Sequence, residues 1–72
     1  MGKIETNLKE YREERGLTQK DLAEQVGVRR ETIVHLEKNK YNPSLELALE
    51  IARIFEVPVE SLFRLKEEPK KS

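Results

Sequence analysis

Apolar residues along this chain recur at helical spacing, and short polar signals interrupt them. From Asn7 to Arg15, the residues Leu8, Tyr11 and Arg15 fall on one side and Glu10, Glu13 and Glu14 on the other, which predicts a first helix. Gly16 suits the left-handed position that ends it. Thr18-Gln19-Lys20-Asp21 reads as a capping box: the Thr18 hydroxyl accepts from the Asp21 N–H while the Asp21 carboxylate accepts from the Thr18 N–H. Leu17 before the cap and Leu22 inside the helix form a hydrophobic staple. A second helix then runs to about Val26, with Leu22, Ala23 and Val26 on one face, and Gly27 stops it. A third helix spans about Arg29 to Lys38. Val28, Ile33 and Leu36 face inward, Arg30, Glu31, Val34 and His35 face outward, and Asn39 is a left-handed cap before a loop through Pro43. Ser44 caps a fourth helix that reaches Phe55, with Glu46 well placed in its first turn. Its apolar residues Leu45, Leu47, Ala48, Ile51, Ala52, Ile54 and Phe55 cover more than one stripe, so part of this surface meets something other than the core. Glu56-Val57-Pro58 is a turn, and Val59 to Phe63 is a short fifth helix. Residues 66–72 lack an apolar anchor and are expected to form a mobile charged tail behind a single domain over residues 1–65.

Composition narrows the functional classes. A chain of 72 residues holds one small domain with a thin core. The absence of Cys rules out disulfides and thiolate-held metals, and it fits a reducing compartment. The apolar runs are too short to span a membrane, and the N-terminus has no signal-peptide stretch, so a cytoplasmic location is expected. Met1-Gly2-Lys3-Ile4-Glu5-Thr6 fits the loose myristoylation pattern, but it reads better as a helix lead-in capped by Thr6 or Asn7. The wealth of Glu, Lys and Arg with one Met is compatible with a thermophilic source. One His, no Cys, no nucleophile–base arrangement and no Gly-rich phosphate loop argue against an enzyme, a metal, a cofactor or a small-molecule substrate. Scarce aromatic residues make RNA a poor partner.

Charge adds a local signal. The formal net charge is zero, yet residues 28–42 carry four basic and two acidic side chains, an excess of +2. Residues 1–27 (five basic, six acidic) and 43–72 (five basic, six acidic) are each −1. The positive excess lies on the third helix and the loop after it.

The stretch Thr18–Lys38 ties these readings together. Counted from Gln19, apolar residues stand at the fourth, eighth, tenth, fifteenth and eighteenth places, with small Ala23 and Gly27 at the fifth and ninth. Ala23 lets the third helix cross close over the second, and Gly27 permits a sharp turn between them. This pattern resembles the helix-turn-helix of the phage-repressor family, the Cro/XRE-type regulators. The resemblance extends over roughly residues 4 to 64 through EYREERGLTQKDLAEQVGV, NKYNPSLELALEIARIF and VPVESLF. It implies an all-α, five-helix, lambda-repressor-like DNA-binding domain that acts as a transcriptional regulator on double-stranded DNA. Such a domain docks its third helix in the major groove, as a homodimer on a palindromic operator. A protein-interaction module on the same fold, such as an antitoxin or an adapter, is the alternative that the neutral net charge keeps open.

The resemblance and the outward face agree on Arg29, Arg30, Glu31, Val34 and His35 as base-reading residues. Arg30 suits a bidentate contact to guanine, Val34 a thymine methyl, and Glu31 either a cytosine amine or rejection of wrong sites. The family places a Gln like Gln19 on a phosphate. Lys38, Lys40, Tyr41 and Asn42 follow the reading helix and suit the backbone on the other side, although Tyr41 equally suits packing and the two lysines a solvated rim. Arg12 and Glu37 match a family ion pair between the first and third helices, with Arg12 also leaning toward phosphate. Arg29 departs from the family's capping Ser or Thr, and Asn39 stands in a place that tolerates the left-handed region. Leu49 with its neighbours, and Val59–Phe63, are the expected dimer surfaces.

Overall fold

A computed structural model describes residues 4–65, and in it five helices follow the expected order: α1 Leu8–Glu14, α2 Gln19–Val26, α3 Arg30–Glu37, α4 Leu45–Phe55 and α5 Val59–Leu62. The expected charged tail and the Met1-Gly2 motif lie outside these residues. None of the described helices is long and apolar enough to cross a membrane.

The helix ends follow from local chemistry. The Thr18 Oγ1 accepts from the Asp21 N–H at 2.9 Å, and the Asp21 Oδ2 accepts from the Thr18 N–H at 3.0 Å, closing the capping box. Ser44 Oγ accepts from the Leu47 N–H at 3.1 Å at the start of α4. At the other ends, α1, α2, α3 and α4 all stop with one residue in the left-handed region: Gly16, Gly27, Asn39 and Glu56. The next residue then bonds back to the carbonyl five places earlier, Leu17 to Arg12, Val28 to Ala23, Lys40 to His35 and Val57 to Ala52. At Gly27 (φ 74°) a Cβ would meet no atom within 4 Å, so it is the backbone conformation, not crowding, that calls for glycine.

Of the two residues expected to cap α1, the structure uses Thr6. Asn7 occupies the cap position but its side chain caps nothing. The Thr6 hydroxyl does this work instead, accepting from the Leu8 N–H at 3.1 Å and donating to the Leu62 carbonyl at 2.7 Å.

The all-α expectation needs one amendment. Strands β1 (Ile4–Thr6) and β2 (Phe63–Leu65) pair antiparallel, with Ile4 opposite Leu65, Glu5 opposite Arg64 and Thr6 opposite Phe63. Phe63 therefore leaves the fifth helix and opens a strand. This ribbon joins both ends of the domain, and the Thr6 N–H also donates to the Asn39 Oδ1 at 3.2 Å, fastening it to the end of α3.

The core draws on every helix. Leu8, Leu22, Ile33, Leu36, Ile51 and Leu62 are fully buried. Tyr11 stacks obliquely on Phe55 with centroids 5.9 Å apart. Arg15, which the spacing placed on the inward side of α1, lies at the surface instead. It donates to the Ile54 and Phe55 carbonyls at 3.3 and 3.1 Å, capping the end of α4, and its guanidinium sits over the Phe55 ring. In the Val59–Phe63 segment, Leu62 and Phe63 are buried in the domain's own core, so the expected dimer surface there is withdrawn. On α4, by contrast, Leu45 and Leu49 remain exposed.

Candidate nucleic-acid interface

Helix α3 buries Ile33 and Leu36 and turns its other side outward. Arg29, Arg30, Glu31 and His35 are exposed, and Val34 is half-buried between them and the core. Residues 30, 31, 34 and 35 are spaced to share one face, so the structure brings together the five residues expected to read bases. Arg29 is the residue before the helix (φ −78°, ψ 153°) and its side chain caps nothing, as its chemistry dictates. It adds positive charge at the exposed end without serving the helix.

A buried carboxylate holds this helix in place. Glu37 accepts from the Arg12 Nε at 2.7 Å, from the Arg12 Nη2 at 3.2 Å and from the Gln19 Nε2 at 3.1 Å. Arg12 also donates through Nη1 to the Leu17 carbonyl at 2.8 Å. One ion pair thus links α1, the loop after it, α2 and α3. The two side chains are only 10% and 5% exposed. The hydrogen bond to Glu37 raises the Arg12 pKa above its already high ordinary value, against the pull of burial.

This geometry sorts the residues expected on phosphate. Arg12 forms the expected pair, but its donors point into the domain, so its phosphate role is set aside. Gln19 stands at the first position of α2 with its side-chain nitrogen engaged by Glu37. Sequence reasoning missed that bond because Gln19 and Glu37 are eighteen residues apart, and no local pattern links them. Lys38, Lys40, Tyr41 and Asn42 are all exposed along the loop that leaves α3. The backbone of this loop is set by the left-handed Asn39 (φ 59°), whose side chain also holds β1. That second role of Asn39 left no trace in the local sequence.

Comparison with known proteins fits this arrangement. The profile of the helix-turn-helix family matches residues 8–62. A helix-turn-helix-type transcriptional regulator of Archaeoglobus fulgidus is 55% identical over 65 residues, covering 90% of this chain and 93% of its own. The crystal structure of a protein from Bacteroides fragilis superposes with a TM-score of 0.76 at 30% identity, over 85% of this chain and 98% of that one. The regulator SinR, solved in complex with DNA, superposes with a TM-score of 0.68 at 31% identity, over 75% of this chain and 87% of that one. The chain belongs to the Cro/repressor-type helix-turn-helix family of transcriptional regulators.

Proposed function

We propose that the protein binds a specific DNA sequence as a homodimer on a palindromic operator, in the cytoplasm, with α3 docked in the major groove. The observation that carries this reading is the contrast within α3. Its inner side is fixed by Ile33, Leu36 and the buried Glu37, while Arg29, Arg30, Glu31 and His35 stand exposed on a helix that cannot easily shift. A rigid helix with an uncommitted polar face suits base reading in the major groove. Val34, half-buried beside them, offers a methyl surface for thymine.

Phosphate contacts flank the helix on both sides. At the start of α2, the capping box takes the Thr18 and Asp21 N–H groups and leaves those of Gln19 and Lys20 for a phosphate, with the second N–H of the Gln19 amide beside them. Lys38, Lys40, Tyr41 and Asn42 supply the other side. One module of this size contacts too little DNA for high specificity, so two copies on half-sites ~34 Å apart are needed.

Selection from a random pool of duplex DNA tests the reading. The expected outcome is an enriched palindrome whose halves are separated by about one helical turn. A pool that shows no enriched sequence even at low salt overturns it.

A further inference from the structure

Helix α4 carries a groove that the fold leaves open. Leu45 is 72% exposed and Leu49 50%. With Glu46, Glu50 and Arg53 they line a shallow cleft of about 420 Å³. These five residues form two neighbouring rows on the helix surface, Leu45–Leu49–Arg53 and Glu46–Glu50, each with a spacing of four. The cleft is the groove between the rows, the shape that receives a ridge from another helix. We infer that a second copy of this chain fills it, with the two α4 helices running antiparallel about a two-fold axis beside Leu49. This inference rests on the homodimer proposed above and assigns its surface and orientation.

Charge decides the orientation. In an antiparallel two-fold packing, Leu49 meets its own copy, and Arg53 falls level with Leu45 and beside Glu46 of the other copy. Arg53 is 80% exposed, and its contact with Glu50 in the same helix is loose at 3.4 Å, so it is free to cross. A parallel packing would instead set Arg53 against Arg53, Glu46 against Glu46 and Glu50 against Glu50. The stripe is therefore complementary to itself only when reversed. The leucine ridge of each copy then lies in the groove of the other, the arrangement that crosses helices at about 50°. Among the described residues the other exposed large apolar side chains lie off this face: Tyr41, 40% exposed, is on the loop after α3, and Leu65, 74% exposed, is at the end of the ribbon, while Leu62 of α5 is buried. One helix face makes a small interface, so the dimer is weak in solution and is strengthened where DNA holds both copies.

The test uses the full chain, which contains no native Cys. Under mild oxidation Leu49→Cys is expected to give a disulfide-linked dimer. Leu45→Cys is not, because its two copies are separated by about 12 Å along the helix axes, beyond disulfide reach. By sedimentation, Arg53→Glu raises the dimer dissociation constant about tenfold or more, and adding Glu46→Arg restores it to within about threefold. All these positions are exposed, and circular dichroism confirms that each variant keeps its helices. A dimer in which Leu49→Cys fails to link, or in which the double swap fails to restore, overturns the assigned surface and leaves the homodimer standing. A chain that stays monomeric in solution and on DNA overturns both. Linking and restoration as expected, in a chain that selects no DNA, support the surface and overturn the DNA reading alone.

Discussion

Glu37 is the residue on which the geometry of the interface turns. It lies at the last position of α3, and three donors from two other helices converge on its carboxylate. Its partner Arg12 is the buried charged residue of the described core. Bringing such a pair out of water is expensive, and good hydrogen-bond geometry on both sides offsets the cost. Removing one member leaves the other charge uncompensated. Arg12→Ala should therefore cost ~3–5 kcal/mol, a large part of the roughly 4–11 kcal/mol expected of a domain this small. Urea unfolding followed by circular dichroism measures it. A loss below ~1 kcal/mol would mean that water replaces the guanidinium and that the pair does not brace α3. The Arg12–Glu37 pairing was legible only through the family resemblance. Its residues are twenty-five apart, and nothing in the periodicity of either helix joins them. The same distance explains why Arg12 was also expected on phosphate: an Arg on a polar-looking turn reads as exposed until its partners are known.

Among the elements, the helix boundaries were the most legible part, because caps are made by residues within a few places of each other. The box at Thr18–Asp21, the Ser44 cap and the left-handed Gly16, Gly27 and Asn39 all follow from local rules. Glu56 did not, since a Glu at φ 58° has no intrinsic preference for that conformation and is held there by the end of α4 and the Arg15 guanidinium over it. The ribbon was invisible for a different reason. Three-residue strands are too short to show alternation, and each has its partner at the opposite end of the domain. The box at α2 gives a prediction with a definite pH sense. The Thr18 backbone N–H, and after it the Thr18 hydroxyl, hold the Asp21 carboxyl below the usual carboxylate range. The native state thus takes up this proton less readily than the unfolded chain. The stability that the ionised group contributes is complete above ~pH 4, the ordinary Asp value, and is lost as the pH falls through the lowered native value. Asp21→Asn should lower the melting temperature at neutral pH, and the gap to the parent should close in acid. A gap that stays undiminished as the pH falls, through the point where Asp21 takes up its proton, would show that charge plays no part in the box.

For the whole molecule, zero net charge sets the terms on which DNA is met. There is no overall attraction, so the pull must come from the +2 excess over residues 28–42, with the acidic side chains elsewhere screened beyond about 10 Å at ordinary salt. The proposed interface then separates into residues that position and residues that specify. Lys40, exposed on the loop after α3, touches phosphate in this reading. Lys40→Ala should weaken binding about equally on every sequence and flatten the dependence of log K on log salt by ~1 per protomer, about 2 for a dimer. Arg30, on the open face of α3, reads a base, and Arg30→Ala should cost ~1–3 kcal/mol on the selected operator and relax preference at one base pair per half-site. Titrations of both variants on the operator and on a scrambled duplex, at several salt concentrations, separate the two roles. The assignment fails if the effects trade places, with Lys40→Ala changing sequence preference or Arg30→Ala weakening both duplexes alike. A shared loss would mean that α3 lies along the backbone, and the outward face of Arg29, Arg30, Glu31 and His35 would then be a positioning surface and not a reading one.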